Sequence, residues 1–120
     1  MLSLLAVFIG GGSGSLCRYG LSFLFPATVY PLATLAANVL ACLLLGYLVG
    51  IDLQNNTIKL LLATGFCGGF STFSTFGKEA LALGQQQLWS GLGYTLLSIL
   101  LGMIALYVGI AIGQYSTLDS

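Results

Sequence analysis

The chain has 120 residues, 58% hydrophobic and 5% charged, and its three Lys or Arg balance three Asp or Glu. A soluble domain carries about 25% charged residues, so this composition excludes an ordinary water-soluble fold and indicates a membrane protein. Zero net charge argues against nucleic-acid binding, which needs a basic surface. Without histidine, acid–base, zinc and triad chemistry lack their usual side chains, so we do not expect an enzyme.

Long uncharged stretches divide the chain into four predicted membrane spans. A spanning helix needs about 20 apolar residues, and charges are absent from residues 19–51, 60–77 and 80–118. The predicted spans, in chain order, are residues 2–25, 31–51, 58–83 and 89–115. We therefore expect an all-α integral membrane protein in which residues 1–120 form one domain of four transmembrane helices.

The first predicted span holds a glycine cluster followed by an arginine. Gly10, Gly11, Gly12 and Gly14 are small enough to let another helix approach closely. Arg18 is the one full charge within the apolar part of this span, and an intramembrane Arg is a functional candidate by default. Arg18 either extends towards the interface or lies near a vestibule, where it would concentrate anions.

The second predicted span places Thr34 and Asn38 on one helix face, four residues apart. An Asn side chain is costly in hydrocarbon and usually faces protein or water. Its amide offers two donor hydrogens and an acceptor oxygen. Both an interhelical hydrogen bond and a contact with a passing ion remain open for Asn38.

The third predicted span contains the sequence GFCGGFSTFSTF at residues 65–76. Two adjacent glycines weaken a helix by about 1 kcal/mol each, and Ser and Thr side chains can bond to the backbone groups so released. We predict a helix break here, because interrupted helices at membrane depth commonly mark ion sites. A Gly, Ser and Thr packing seam is the alternative.

Aromatic and hydroxyl side chains recur at helical spacing in the last two spans. Phe73 and Phe76 share a face, and the positive edge of a phenylalanine ring attracts an anion weakly. Tyr94, Ser98 and Gly102 follow each other at four-residue steps, which gives either a polar track or a packing stripe. Three cysteines, Cys17, Cys42 and Cys67, lie in apolar runs and are interpreted as small buried residues.

Hydrogen-bond donors dominate this set of residues, and acidic residues are expected to be absent from the spans. A donor-rich path suits a small, strongly hydrated anion that must exchange its water shell. Lys and Arg are so evenly placed that the positive-inside rule gives no orientation. Such a chain can insert both ways and pair as an antiparallel dimer.

Three motifs resemble the Fluc (CrcB-like) fluoride channels over essentially the whole chain: GGGSGSLCRY at 10–19, TLAANVLACLLLG at 34–46 and GFCGGFSTFSTFGKE at 65–79. The resemblance implies an antiparallel, dual-topology homodimer in the bacterial inner membrane, with two pores that export fluoride passively. It also implies a Na⁺ at the dimer centre, held by the backbone carbonyls of Gly68 and Ser71.

The resemblance also assigns roles to the polar and aromatic residues. The implied fluoride path comprises Asn38 as amide donor, Phe73 and Phe76 as pore aromatics, Ser74 and Thr75 as hydroxyl contacts, Thr34, Tyr94 and Ser98 as a polar track, and the first-span Arg18. Two positions depart from the family pattern. Ser71 stands where Thr is common, and Gly102 stands where some members carry a further track Ser.

A small dual-topology multidrug-type exporter is the alternative function. Such exporters also have four short spans, but they need a membrane-embedded carboxylate to exchange protons for a cationic drug, and none lies in the first span. A scaffold built on glycine seams would not explain polar residues on corresponding faces of three helices. The resemblance implies fluoride, membrane lipid and a second copy of the chain as the partners.

Overall fold

A computed structural model describes residues 1–25 and 31–118, and the regular structure within these ranges is helical. Four stretches are long and apolar enough to cross a membrane: Leu2–Leu21, Leu32–Gly50, Asn56–Gln86 and Leu88–Leu118. The first, second and fourth are single helices, α1, α2 and α6. The third span consists of α3 (Asn56–Lys59), a π-helix (Leu60–Cys67), α4 (Gly68–Phe70) and α5 (Phe73–Gln86).

The observed helix ends differ from the predicted ones by a few residues. Helix α1 stops at Leu21, four residues early, and its chain continues through short turn hydrogen bonds from Phe23 and Leu24 to the carbonyls of Gly20 and Leu21. Pro26, the predicted end signal, lies outside the described residues. Helix α6 runs three residues past the predicted end, to Leu118, because neither proline nor a charged residue interrupts it before that point.

A side-chain cap marks the start of the third span, and a one-residue connection marks its end. The span begins two residues earlier than predicted because the Asn55 side chain accepts a hydrogen bond from the Ile58 N–H at 3.0 Å. Asp52, with φ at 53°, adopts the left-handed conformation that closes the preceding turn. At the other end, the single residue Gln87 separates α5 from α6, where a longer turn was predicted.

Glycines bring the four spans together as two parallel pairs. A Cβ on Gly46 would collide with the Leu106 carbonyl and one on Gly50 with the Ile110 carbonyl, so α2 and α6 run in the same direction with touching backbones. Gly10 and Gly14 approach the backbone of the third span in the same way, near Leu61 and Phe66. The close packing predicted for the first glycine cluster is therefore confirmed for Gly10 and Gly14, whereas Gly12 faces open space.

Helical structure in the third span stops at Phe70 and resumes at Phe73. The two residues between them are extended: Ser71 has φ −80° and ψ 158°, and Thr72 has φ −151° and ψ 125°. Thr72 caps the new helix, since its Oγ1 accepts a hydrogen bond from the Thr75 N–H at 3.2 Å. Ser71 and Thr72 are called the interruption below.

A small apolar cluster supports the interruption from one side. Ala37 and Ala41 of α2 pack on Phe70, which is the last helical residue before the interruption. Phe66 stacks on Phe70 with ring centroids 5.6 Å apart. Because the two alanines flank Asn38 on α2, this packing sets the position of the Asn38 side chain against Thr72.

Candidate functional site

Asn38 binds both backbone groups of Thr72. The Thr72 N–H donates to Asn38 Oδ1 at 2.8 Å, and Asn38 Nδ2 donates to the Thr72 carbonyl at 3.3 Å. In a continuous helix the Thr72 N–H would instead donate to Gly68. One hydrogen of the Asn38 amide remains available for a further acceptor.

Arg18 lies on the opposite side of the third span and binds the backbone there. Its Nε donates to the Gly69 carbonyl at 3.3 Å, and the Ser15 hydroxyl approaches the same oxygen at 3.5 Å. A continuous helix would satisfy this carbonyl with the N–H of Phe73. Helix α1 therefore supplies the donors that the interruption removes from Gly69.

Two other carbonyls beside the interruption receive no backbone donor within the described part of the chain. The Thr72 N–H that would serve Gly68 goes to Asn38, and the Thr75 N–H that would serve Ser71 goes to the Thr72 side chain. Gly68 is exposed and would have open space around a Cβ. The carbonyl oxygens of Gly68 and Ser71 are thus available for another ligand.

A cavity of about 280 Å³ opens between α2, the interruption, α5 and α6. It is lined by Asn38, Cys42, Ser71, Thr72, Phe73, Phe76, Ser98, Ile99 and Gly102. Three separate helices and the extended segment thus contribute to one wall. The lining is mainly apolar, with a few neutral polar groups, and no Lys, Arg, Asp or Glu is among these residues.

The two phenylalanines of the cavity differ in exposure. Their ring centroids are 5.9 Å apart at 50°, and the ring of Phe76 also contacts Tyr94 at 5.2 Å. Phe76 is partly buried, whereas Phe73 is 84% exposed. Phe73 therefore projects from the chain into space that the chain itself does not fill.

Three buried oxygens lie behind Phe76 without a hydrogen-bond partner: Glu79 Oε1, the Tyr94 hydroxyl and Ser98 Oγ. Tyr94 has no exposed surface, so its hydroxyl has no contact with solvent. Buried polar groups are nearly always satisfied by protein, water or an ion. This cluster therefore needs water or an ion to complete its hydrogen bonding.

Comparison with known proteins decides the family. The family described as CrcB-like protein, Camphor Resistance (CrcB), matches residues 5–110. The chain belongs to this CrcB-like family. The fluoride-specific ion channel FluC of Phocaeicola vulgatus is 41% identical, and the alignment covers 92% of this chain and 97% of that protein. The fluoride-specific ion channel FluC 2 of Bacillus licheniformis is 40% identical, and the alignment covers 95% of this chain and 89% of that protein.

An archaeal relative is also similar. The fluoride-specific ion channel FluC of Pyrococcus furiosus is 48% identical over 64% of this chain and 67% of its own. The predicted resemblance to the CrcB-like channels is therefore confirmed, and the chain is a multi-pass membrane protein. The matches give no support to the multidrug-type exporter, and the relatives' names describe channels rather than enzymes.

In this CrcB-like chain, the structure brings together four of the predicted path residues. Asn38, Phe73, Phe76 and Ser98 all line the cavity, and so does Ser71. Tyr94 lies behind Phe76, and Thr34, 7% exposed, lies one turn before Asn38. These two residues are adjacent to the cavity lining rather than part of it.

The remaining predicted path residues lie elsewhere. Ser74 is exposed, and its hydroxyl lies 3.3 Å from Thr72 Oγ1. Thr75 contributes its backbone N–H to the Thr72 cap. Arg18 is on the α1 side of the third span, at Gly69, and lines no part of the cavity within one chain. Their proposed contact with an ion stays a prediction.

One interpretation from sequence was wrong. Acidic residues were expected to be absent from the spans, but Glu79 falls within the predicted third span, and in α5 its Oε1 is buried beside Tyr94. Helix α5 continues beyond Glu79 to Gln86, so this carboxyl group lies inside the span rather than at its end. The three-residue step from Phe76 to Glu79 puts both side chains on one helix face, and this spacing could have indicated that Glu79 is buried.

Sequence reasoning also overlooked Thr72 and Cys42. Thr72 was treated as one hydroxyl in a run, whereas its backbone and side chain organise the whole interruption. Cys42 was interpreted as a buried apolar residue, but it is partly exposed and lines the cavity four residues after Asn38. Cys17 is exposed, and only Cys67 is buried as predicted.

Proposed function

We propose that the chain is a fluoride-selective channel that exports fluoride passively and lowers its cytoplasmic concentration. The observation that carries the proposal is the cavity that four residues of the implied path, from three spans, line together. Relatives that align with more than nine-tenths of the chain are named fluoride-specific ion channels. The proposal thus rests on a mainly apolar cavity with a few hydrogen-bond donors and on membership of a family whose members are named channels.

The chemistry of the cavity suits a small anion. The free hydrogen of the Asn38 amide and the unpartnered Ser98 hydroxyl can donate to an ion that has lost part of its water shell. The ring edges of Phe73 and Phe76 add weak positive potential. Since no lysine or arginine lines the cavity, an anion is attracted without being trapped by a full charge.

An antiparallel, dual-topology homodimer is the proposed assembly. Phe73 projects from the chain with 84% of its surface exposed, and the cavity is open on one side, so a second copy is needed to close the path. The near balance of Lys and Arg between the two membrane faces allows both orientations. Two symmetric copies would give two fluoride pores in a bacterial inner membrane, surrounded by lipid.

The interruption also fits a central Na⁺. Among the described residues, no group of three or more His, Cys, Asp or Glu could hold a metal ion, so a cation would use other oxygens. The carbonyls of Gly68 and Ser71 lack backbone donors, whereas Gly69 is already bound by Arg18. One chain offers two such oxygens and a symmetric pair offers four, which is the proposed ligand set.

Serine at position 71 is compatible with this ligand role. Both the N–H and the hydroxyl of Ser71 donate to the Cys67 carbonyl, at 3.0 Å and 2.8 Å. The Ser71 hydroxyl is therefore already bonded to the preceding helical turn, and the Ser71 carbonyl is the group available to a ligand. A bound cation would supply positive potential beside the cavity and hold the two copies together.

Anion efflux from liposomes tests the proposed function. Vesicles holding the purified chain and loaded with potassium fluoride or potassium chloride are diluted into buffer free of both anions, valinomycin carries K⁺ out to balance the charge, and ion-selective electrodes record the release. Fluoride should leave rapidly and chloride barely at all. Equal release of both ions, or no release from protein that elutes as a uniform folded species, would contradict a selective fluoride channel.

A further inference from the structure

Beyond Ser98, the cavity wall changes from a hydroxyl to a thiol. Gly102 follows Ser98 by one turn of α6, and Cys42 follows Asn38 by one turn of α2; both line the cavity. A Cβ on Gly102 would lie 3.5 Å from Cys42 Sγ, an ordinary van der Waals distance. The Cys42 thiol therefore lies directly beside the position that a side chain at residue 102 would occupy.

A row of unsatisfied hydroxyls leads to this point. Tyr94 has no exposed surface and an unpartnered hydroxyl, and one turn later Ser98 Oγ is also buried and unpartnered. The next step of the row on α6 is Gly102, which has no side chain. A thiol can donate a weak hydrogen bond, so Cys42 is placed to continue the row from the facing helix.

We propose that Cys42 contacts the ion in the path beyond Ser98 and supplies the donor that Gly102 lacks. This inference rests on the proposed fluoride conduction. The other two thiols do not line the cavity: Cys17 is exposed on α1, and Cys67 is buried in the third span. Cys42 is thereby also the site at which a small thiol reagent blocks conduction.

Methyl methanethiosulfonate tests the location of the thiol. The Cys42 thiolate attacks the sulfenyl sulfur of the reagent, a disulfide forms as the bond to the sulfonyl sulfur breaks, methanesulfinate leaves and the thiol proton passes to water. Peptide mass spectrometry should find Cys42 methylthiolated, with loss of most fluoride efflux and recovery after dithiothreitol. Cys17→Ala should remain sensitive, whereas Cys42→Ala should keep after treatment whatever efflux it had before.

Substitution tests the donor role. Cys42→Ala should lower fluoride efflux about twofold, the lower end of the range for one hydrogen bond, because a thiol donates weakly. Cys42→Ser should recover that loss, and so should Cys42→Ala combined with Gly102→Ser, because either change returns a donor to the same place. Size-exclusion chromatography of each variant confirms that the assembly is intact before efflux is compared.

The outcomes separate this inference from the proposed function. A wild-type chain that conducts no fluoride overturns the proposed function and, with it, this inference. In a conducting chain, an unlabelled Cys42, or a labelled Cys42 with unchanged efflux, overturns the inference alone. Failure of Gly102→Ser to improve Cys42→Ala while Cys42→Ser conducts normally would show that position 102 does not share the role of the thiol.

Discussion

Thr72 depends on a side chain from another helix for both of its backbone hydrogen bonds. Asn38 accepts from its N–H and donates to its carbonyl, so one amide replaces two intrahelical bonds. Leaving such groups unpaired within a membrane would cost several kcal/mol each. Asn38 therefore holds the interruption open and, with its second amide hydrogen, remains a donor to the cavity.

Asn38→Asp tests this double role. The carboxylate can still accept from the Thr72 N–H, but it cannot donate to the Thr72 carbonyl, and its negative charge faces the path of an anion. We expect fluoride efflux to fall by at least about tenfold, because a donor is lost and a repulsive charge is added. Efflux from liposomes of equal protein content measures the effect.

Asn55→Asp is the matched control for that substitution. Asn55 also accepts a backbone hydrogen bond, from Ile58 at 3.0 Å, but it caps the start of the third span in an exposed position. Asp caps a helix as well as Asn does, so this variant should conduct like the unchanged chain. Equal efflux from Asn38→Asp and Asn55→Asp would contradict the placement of the path beside Asn38.

Residue types were predictable from the sequence, whereas distances between spans were not. Helical spacing placed Thr34 with Asn38, Phe73 with Phe76, and Tyr94 with Ser98. That Asn38 reaches Thr72, and Arg18 reaches Gly69, depends on how α1 and α2 pack on the third span. Sequence spacing describes one face of one helix and therefore leaves such partners undetermined.

At the scale of the elements, the α2–α6 pair depends on glycines that allow backbone contact. Gly46→Ala would put a methyl group into the Leu106 carbonyl, and no side chain there can move aside. We expect the two helices to separate, with a loss of about 1–3 kcal/mol in stability. Thermal unfolding in detergent, followed by the loss of helical circular dichroism, measures the change.

Gly93→Ala, on the partner helix α6, provides the comparison. A Cβ there meets nothing within 4 Å, and alanine favours a helix over glycine by up to about 1 kcal/mol. This variant should unfold at the same temperature as the unchanged chain or slightly higher. Similar destabilisation by both substitutions would mean that helix contact does not explain the effect at Gly46.

The four spans were predictable because their apolar runs are long and charged or polar residues separate most of them. The internal structure of the third span was less so. Residues Leu60–Cys67 form a π-helix that neither composition nor spacing indicated. The π-helix includes Gly65, whose backbone contacts that of Gly10 in α1. The wider turn therefore coincides with a contact between helices, and not with a local sequence preference. Sequence patterns with a period of 3.6 residues carry no signal for that change.

For the whole molecule, the proposed Na⁺ at the carbonyls of Gly68 and Ser71 predicts that assembly depends on the cation. Replacing Na⁺ by the large organic cation N-methyl-D-glucamine should reduce the dimer fraction and the fluoride efflux together, because four carbonyl dipoles would then face one another without a charge between them. Size-exclusion chromatography and efflux, both after prolonged exchange, measure the two effects.

Replacing chloride by sulfate at constant Na⁺ is the companion measurement. It changes ionic composition without removing the proposed ligand, so dimer fraction and fluoride efflux should both be retained. A chain that stays dimeric and conducts at full rate after Na⁺ exchange would contradict the central cation. Loss of both properties in sulfate would attribute the effect to salt in general.

The order of residues along the chain has a consequence for biosynthesis. Asn38 and Arg18, which bind the backbone at Thr72 and Gly69, both precede the third span. When residues 68–72 leave the ribosome, the donors and acceptors that will shape them have already been synthesised. Residues 68–72 can therefore form hydrogen bonds with Asn38 and Arg18 as they enter the bilayer. Their polar backbone groups then need not be exposed to lipid without hydrogen-bond partners.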